Sequence, residues 1–392
     1  FQKLVGYRLD NLKRYPTSAQ TFLSETQAIP EIGYVIKQPD LAWTLQQVAD
    51  KGFDGFYKGE SARRLVAGVQ AANGIWTLDD LANYNIIERA PIEIEYKGHK
   101  VVSAPPPSSG GIAIAAMLNM LSQYDLNTLN NADKTHLIVE AMRRAYKDRA
   151  EFLGDPDFVE VPTQELISLE RAKNYAESID MNKATSSLSL KGPKNIQEGF
   201  HTTHFSVIDK AGNRVSATLS INLPFGSAFT VPNTGVVLNN EMDDFSAKPG
   251  EPNAYGLVGN AANAIAPNKR PLSSMSPSFI ENDDAVALIG TPGGSRIITM
   301  VMLGMLEHFD NKPVSDWVGR SRFHHQYLPD VIQHEPNTFS AAEINALESK
   351  GHKLKNIGRE YGNMQAILWD KNSGEVTAAS DPRAFGKSQV SE

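Results

Sequence analysis

The 392-residue chain is 41% hydrophobic, 21% charged and 8% aromatic, enough apolar surface for a substantial core, which excludes disordered, collagenous and fibrous classes. Its 38 Lys and Arg against 45 Asp and Glu give a net charge of −7, so no global positive field concentrates nucleic acid or anionic lipid. Without a single cysteine the chain has no disulfides, thiolate zinc sites, iron–sulfur clusters or cysteine nucleophiles, and no apolar run reaches bilayer-spanning length.

The opening Phe1-Gln2-Lys3-Leu4-Val5 lacks signal-peptide anatomy and begins mid-pattern, as expected if a preceding segment, including any export signal, has been removed. Residues 40–155 read mostly as helices. The clearest spans 132–153, where Leu137, Ile138, Ala141, Ala145, Ala150 and Phe152 recur at three- and four-residue steps, with Asn131 or Asp133 as cap and Gly154 and Pro156 at the end. A second helix should follow Pro105-Pro106-Pro107-Ser108-Ser109-Gly110-Gly111, where glycine permits close backbone packing. The polar stretch 183–199 lacks periodicity and reads as an exposed loop.

Strands dominate afterwards. A hairpin is expected from 203–208 and 214–222 around Asp209-Lys210-Ala211-Gly212-Asn213, with further strands at 235–238, 276–280, 285–289, 364–369 and 375–379. Helices are expected at 296–308 and 341–350, and no repeat period is visible. Strands joined by short turns, with helices before and after, predict an α+β layered fold and not a doubly wound parallel sheet.

Candidate chemistry concentrates in a few segments. At Gly199-Phe200-His201-Thr202-Thr203-His204 a polar loop meets a strand; two threonines there suit β-structure. If the His201–Thr202 bond is cut, Thr202 gains an α-amine with an ordinary pKa of about 7.7–8.0, basic enough near neutrality to activate its own hydroxyl. Thr291-Pro292-Gly293-Gly294-Ser295-Arg296 follows an apolar strand and opens a helix, suiting either an oxyanion hole or a tight turn; it lacks a P-loop lysine, and Arg296 reads as a surface cation. Glu241-Met242-Asp243-Asp244-Phe245 places three acids in four positions, which fits an ammonium ligand, a hard cation or a solvated turn, without EF-hand spacing. Leu272-Ser273-Ser274-Met275-Ser276-Pro277 offers hydroxyls and backbone donors for a carboxylate, or simply a serine-rich loop. His324-His325 lacks helical zinc-site spacing and reads as structural.

Together with Gly154-Asp155-Pro156-Asp157-Phe158, Leu238 to Ser246 and Pro267 to Pro277, these segments, in this order and spacing across nearly the whole chain, resemble the γ-glutamyltransferase (γ-glutamyltranspeptidase) family of N-terminal-nucleophile hydrolases. The resemblance implies a four-layer αββα sandwich, formed as one intertwined domain by two polypeptides cut from one precursor. Residues 1–201 then belong to the large-subunit region and 202–392 to the small-subunit region. It implies Thr202 as nucleophile and Ser220 as the hydroxyl that bonds it, where the family usually has threonine. It assigns Asn222, Glu241 and Asp244 to the substrate α-amino group, Ser273 and Ser274 to its α-carboxylate, and Gly293 and Gly294 to the oxyanion. Tyr255, in the segment 249–260, matches a substrate lid. Family precursors also carry, ahead of the point where Phe1 falls, an arginine that pairs with the α-carboxylate.

The implied activity is that of a γ-glutamyltransferase or glutathione hydrolase, an acyltransferase and threonine-type peptidase without cofactor or metal. It would act on glutathione and other γ-glutamyl compounds, with water, amino acids or dipeptides as acceptors, in the periplasm or outside the cell. The alternatives are a related amidase, such as a cephalosporin acylase or poly-γ-glutamate-processing enzyme, or an inactive, unprocessed or truncated relative. Glu241 and Asp244 speak against substrates lacking an α-amine.

Overall fold

A computed structural model describes residues 1–190, 202–246 and 261–391. The chain divides into two compact units, Phe1–Arg89 with Ile221–Glu241, and Ala90–Ser220 with Met242–Glu392. Each unit therefore draws on sequence from both sides of Thr202.

The first unit is built from helices α1 (Gln2–Lys13), α2 (Pro16–Phe22), α3 (Pro39–Lys51), α4 (Asp54–Tyr57), α5 (Gly59–Ala71) and α6 (Leu78–Ala82). Proline at the first turn of α2 and α3 pre-sets φ where the missing N–H costs no helical bond. Val5, Leu12, Ala19, Phe22 and Leu23 close over Ala228, while Ala62, Leu65, Val66, Val69 and Leu81 close over Val231. The strand expected at 235–238 is absent; only an isolated bridge joins Thr230 and Val237. Asn233 (φ 59°) and Gly235 (φ 65°) turn the chain back. Its polar backbone is met by helix side chains: Ser18 Oγ donates to Ala228 O at 2.7 Å and Thr44 Oγ1 to Thr234 O at 2.7 Å. Buried backbone thus finds its partners without a ladder.

The second unit holds β1 (Ile92–Tyr96), β2 (His99–Ser103), α7 (Gly110–Leu121), α8 (Asn131–Phe152), α9 (Thr163–Leu166), α10 (Leu169–Glu177), β3 (Thr203–Ile208), β4 (Arg214–Leu219), β5 (Ser278–Glu281), β6 (Ala285–Gly290), α11 (Ile297–Phe309), α12 (Val314–Gly319), β7 (Phe323–His324), β8 (Ile332–His334), α13 (Ala341–Ser349), β9 (Leu354–Asn356), β10 (Gln365–Asp370) and β11 (Val376–Ser380). An antiparallel six-stranded sheet runs β1-β2-β5-β6-β10-β11. Helices α7, α8 and α11 share one core with it, and the β3–β4 hairpin packs against β6 and β10 without joining their ladder. Helices, sheet and stacked hairpin give the α, β, β succession of the expected sandwich. Because β6 is covered on both faces, its sequence Ala-Val-Ala-Leu-Ile-Gly is apolar without alternation.

The β1–β2 hairpin lies inside the stretch read as mostly helical. Its alternating Ile-Glu-Ile-Glu-Tyr was the missed signal, followed by a turn with positive φ at Lys97 (48°) and Gly98 (75°). Helix α8 is capped by Asn130, whose side chain accepts from the Asp133 N–H at 2.9 Å, and not by Asn131 or Asp133. Residues 183–190 are not a free loop. Thr185 N donates to Glu140 Oε1 at 3.1 Å, Ser187 N to Asp330 Oδ2 at 2.8 Å, and a short 3-10 turn covers Ser187–Leu190.

These bonds complete a buried charge network on α8. Glu140 accepts from Arg143 at 3.2 Å and Arg144 at 2.6 Å, and Arg143 also reaches Ser187 and Asp330. Burial opposes the Glu140 charge, but the two guanidinium groups and the Thr185 N–H hold its carboxyl down at about 2.

Burial also pushes His204, His308 and His325 down to about 4 and His352 to about 3. These imidazoles stay neutral in the fold while the unfolded chain takes up protons below about 6.5, so stability rises with pH between those limits. Denaturant midpoints followed by circular dichroism should therefore fall as pH drops from about 6.5 to 4, before the carboxylates titrate. A midpoint constant over that window would contradict neutral burial of these rings.

Candidate active site

Thr202 immediately precedes β3, and its Oγ1 donates to Ser220 Oγ at 3.5 Å. Hairpin pairing of Thr203 with Leu219 and His204 with Thr218 brings these two hydroxyls, eighteen positions apart, to one end of the ladder. His204 is buried, with Nδ1 2.8 Å from Thr218 Oγ1 and Nε2 3.1 Å from Ser206 Oγ. It packs on Gly290, the last residue of β6, where an added Cβ would lie 2.1 Å from His204 Cε1. That glycine permits the close approach by which the strand after Thr202 stacks on the strand before Gly293 and Gly294.

The Gly293-Gly294 pair has φ of 148° and 58°, backbone that side-chain-bearing residues rarely adopt. Both are buried, and neither N–H donates to a protein acceptor among the described residues. The turn is fastened from several directions: Tyr146 of α8 donates to Ser295 O, Ser295 Oγ to Gln326 Oε1 at 2.8 Å, and Asn363 N to Thr291 Oγ1 at 3.2 Å. Arg296 is not the surface cation expected. It is 1% exposed, its guanidinium 4.7 Å from the Tyr361 ring centre, and it donates to Gln333. His324 is likewise internal, bonded to Thr299 and Gln326 at 2.8 Å each, in agreement with its structural reading.

Ser273 and Ser274 sit against the loop that opens α7. Ser109 N donates to Ser273 O at 2.8 Å, Ser273 N to Pro107 O at 2.9 Å, and Ser108 Oγ to Met275 O at 2.6 Å. An added Cβ would strike Ser276 Oγ at Gly110 and Ala104 O at Gly111, the close packing expected of this pair. Arg149 of α8 lies beneath, its Nε donating to Ser109 Oγ at 2.9 Å and its Nη2 to Ser274 Oγ at 3.3 Å. Sequence reading passed over Tyr146 and Arg149 as part of a core helix. The available signal was two polar-tipped residues three apart, in helical step with the apolar Met142 and Ala145.

Glu241 and Asp244 share one 3-10 turn, Glu241–Asp244. Asn263 Nδ2 donates to Asp244 O at 2.7 Å, and Glu241 Oε1 is buried with no hydrogen-bond partner among the described residues. In the first unit Asn222, at φ 67°, donates from Nδ2 to Asn240 O at 3.0 Å. Tyr255 and residues 249–260 lie outside the described residues, as does His201.

Among the described residues, His136, Glu140 and His352 are close enough to hold a metal ion, with ligand atoms within 4.8 Å. Their surroundings do not fit one. Both Glu140 oxygens are taken by guanidinium and amide donors, and a dication there would face Arg143 and Arg144. No described helix is long and apolar enough to cross a membrane.

The stacked sheets under a helical layer define an α+β protein of the N-terminal-nucleophile hydrolase architecture. The γ-glutamyltranspeptidase family model matches residues 2–391, and the chain belongs to that family. It is 43% identical over 386 residues to the glutathione hydrolase proenzyme of Escherichia coli K12, covering 97% of this chain and 66% of that protein. It is 45% identical over 341 residues to the glutathione hydrolase proenzyme of Pseudomonas sp. strain A14, covering 86% and 59%. The chain thus spans somewhat less than two thirds of the length of these relatives. Among solved structures it is similar to a cephalosporin acylase from Bacillus halodurans, with a TM-score of 0.83 at 26% identity over 97% of this chain and 68% of that one.

The His204–Gly290 contact is testable by itself. Gly290→Ala should destabilise the protein by about 1–3 kcal/mol, since the ring is held on both nitrogens and cannot easily yield. His204→Ala should relieve much of that cost in the double variant, giving a coupling energy by chemical denaturation. Additive losses would refute direct contact.

Proposed function

We propose that the chain carries the acyl-transfer centre of a γ-glutamyltransferase/glutathione hydrolase with Thr202 as its amino-terminal nucleophile. The observation that supports this best is the Thr202 hydroxyl directed at Ser220, just ahead of a strand that packs through His204 and Gly290 near a turn whose two glycine amides have no protein acceptor among the described residues. Cleavage of the His201–Thr202 bond frees the α-amine, which accepts the proton as Oγ1 attacks the γ-amide carbonyl of glutathione or a similar compound. The Gly293 and Gly294 amides, at the head of α11, donate to the oxyanion of the tetrahedral intermediate. The proton passes to the leaving amine, the amide C–N bond breaks, and a γ-glutamyl ester of Thr202 remains. Water then releases glutamate, or the amine of an amino acid or dipeptide takes the acyl group, regenerating the hydroxyl.

Substrate recognition follows from charge. The buried Glu241 oxygen without a partner, with Asp244 on the same turn and Asn222, suits an ammonium group; Ser273 and Ser274 suit a carboxylate. In this reading residues 1–201 and 202–392 become the large- and small-subunit portions of a heterodimer from one precursor, in the periplasm or outside the cell. The segment 249–260, with Tyr255, is assigned as a lid.

The acylase-like structure favours one second reading, an amidase for glutaryl substrates. The acids at 241 and 244 and the higher identity to glutathione hydrolases weigh against it. Incubating the full-length protein with a chromogenic γ-glutamyl anilide decides between them: release is expected, whereas a preference for the glutaryl anilide would select the amidase. Thr202→Ala should abolish both processing, read as one undivided mass, and turnover, because one hydroxyl serves both steps. A cleaved or active variant would remove Thr202 from the mechanism.

A further inference from the structure

Two adjacent glycines make a loose turn unless something else holds it. Gly293 and Gly294 admit their φ values of 148° and 58° without imposing them, so the direction of their amides depends on what fastens the neighbouring residues. The residue that follows, Ser295, is buried and held at both polar ends: Tyr146 donates to its carbonyl oxygen, and its hydroxyl donates to Gln326 Oε1 at 2.8 Å. The backbone is thereby tied to α8 and the side chain to the loop between β7 and β8, thirty-one positions along the chain.

Gln326 is itself buried and its amide is oriented by several neighbours. Nε2 donates to Leu328 O at 3.4 Å, which turns Oε1 toward Ser295. Oε1 also lies 2.8 Å from His324 Nε2, and His324 Nδ1 lies 2.8 Å from Thr299 Oγ1 on α11. Burial holds the His324 ring neutral, so with its single proton on Nε2, donated to Gln326, the other nitrogen accepts from the Thr299 hydroxyl. Turning the Gln326 amide over would set its NH2 against the His324 N–H and strip the Ser295 hydroxyl of its acceptor. A buried donor left unmet carries its full desolvation cost, so this one orientation is strongly selected.

Resting on the acyl-transfer reading above, we propose that Gln326 is a positioning residue for the oxyanion: through the Ser295 hydroxyl it fixes the turn that presents the Gly293 and Gly294 amides. It acts on the tetrahedral intermediate and not on binding of the substrate head group, which belongs to the acids and serines already assigned. Amides fixed before the reaction stabilise a developing charge without reorganising, and a turn free to swing loses that advantage.

The test is γ-glutamyl anilide hydrolysis by the full-length protein in wild type, Ser295→Ala, Gln326→Met and the double variant. The value of kcat, counted per cleaved molecule by intact mass, is read beside the Ki of L-glutamate, which carries the head group but no scissile amide. Acylation and deacylation both pass through an oxyanion, so kcat reports on the turn whichever step limits. Each single variant should lower kcat about tenfold or more while the glutamate Ki moves less than about twofold. The double variant should fall less than about twofold below Gln326→Met alone, because the same bond is already broken there. If Gln326→Met does not fold or cleave, Ser295→Ala decides by the split between kcat and Ki. Multiplicative losses in the double variant, an unchanged kcat in Ser295→Ala, or kcat and Ki moving together would make the contact merely structural and overturn the proposal. A wild-type protein without anilide hydrolysis would instead sink the parent reading.

Discussion

Charge buried on helix α8 has to be matched, and matching it fixes the loops around the candidate active site. The first half of the helix does this through Glu140, Arg143 and Arg144, which pin residues 185–187 and Asp330. In the second half no acid pairs with Arg149 among the described residues, and hydrogen bonds take that part: Tyr146 donates to the turn after Gly294 and Arg149 to Ser109 and Ser274. Desolvated groups of this kind tolerate few arrangements, because a lost partner leaves the full desolvation cost behind. A single helix face thereby holds the glycine turn and the serine turn in fixed positions on one scaffold.

The second constraint is steric. The β3–β4 hairpin stacks on β6 without hydrogen-bonding to it, so no ladder register fixes their offset. The His204 ring against Gly290 takes that role. A ring held by two hydroxyls on one strand and a position without Cβ on the other admit few offsets, and residues 202 and 293 lie two and three positions away. Precision between the proposed nucleophile and its proposed amide donors is a matter of tenths of an ångström, which rigid packing supplies better than exposed polar contacts.

Much of the framework was legible from periodicity alone. Helix α8 and the β3–β4 hairpin fell within a residue or a few of their expected limits, because long amphipathic or alternating runs bounded by Asn, Asp and Gly carry strong local signals. Expectations failed where local preference was weak or tertiary contacts supplied the backbone partners. Residues 235–238 look like a strand, yet their neighbourhood is satisfied by Ser18 and Thr44 from distant helices. The β1–β2 hairpin was hidden by its helical surroundings, and Arg296 was misread because a helix-start arginine is ordinarily solvated.

By itself the sequence determined the long helix α8 and the β3–β4 hairpin, the absence of cysteine chemistry and the family. The spacing of Thr202, Glu241, Asp244, the serine pair and the glycine pair is a property of the chain order, independent of packing. Only the tertiary structure decided which groups meet: Thr202 with Ser220, His204 with Gly290, and Arg149 with Ser109 and Ser274 across separations of 40 and 125 residues. Such pairings leave no local trace because they arise from burial, where a charge or a ring takes its partner from whichever segment the core brings against it.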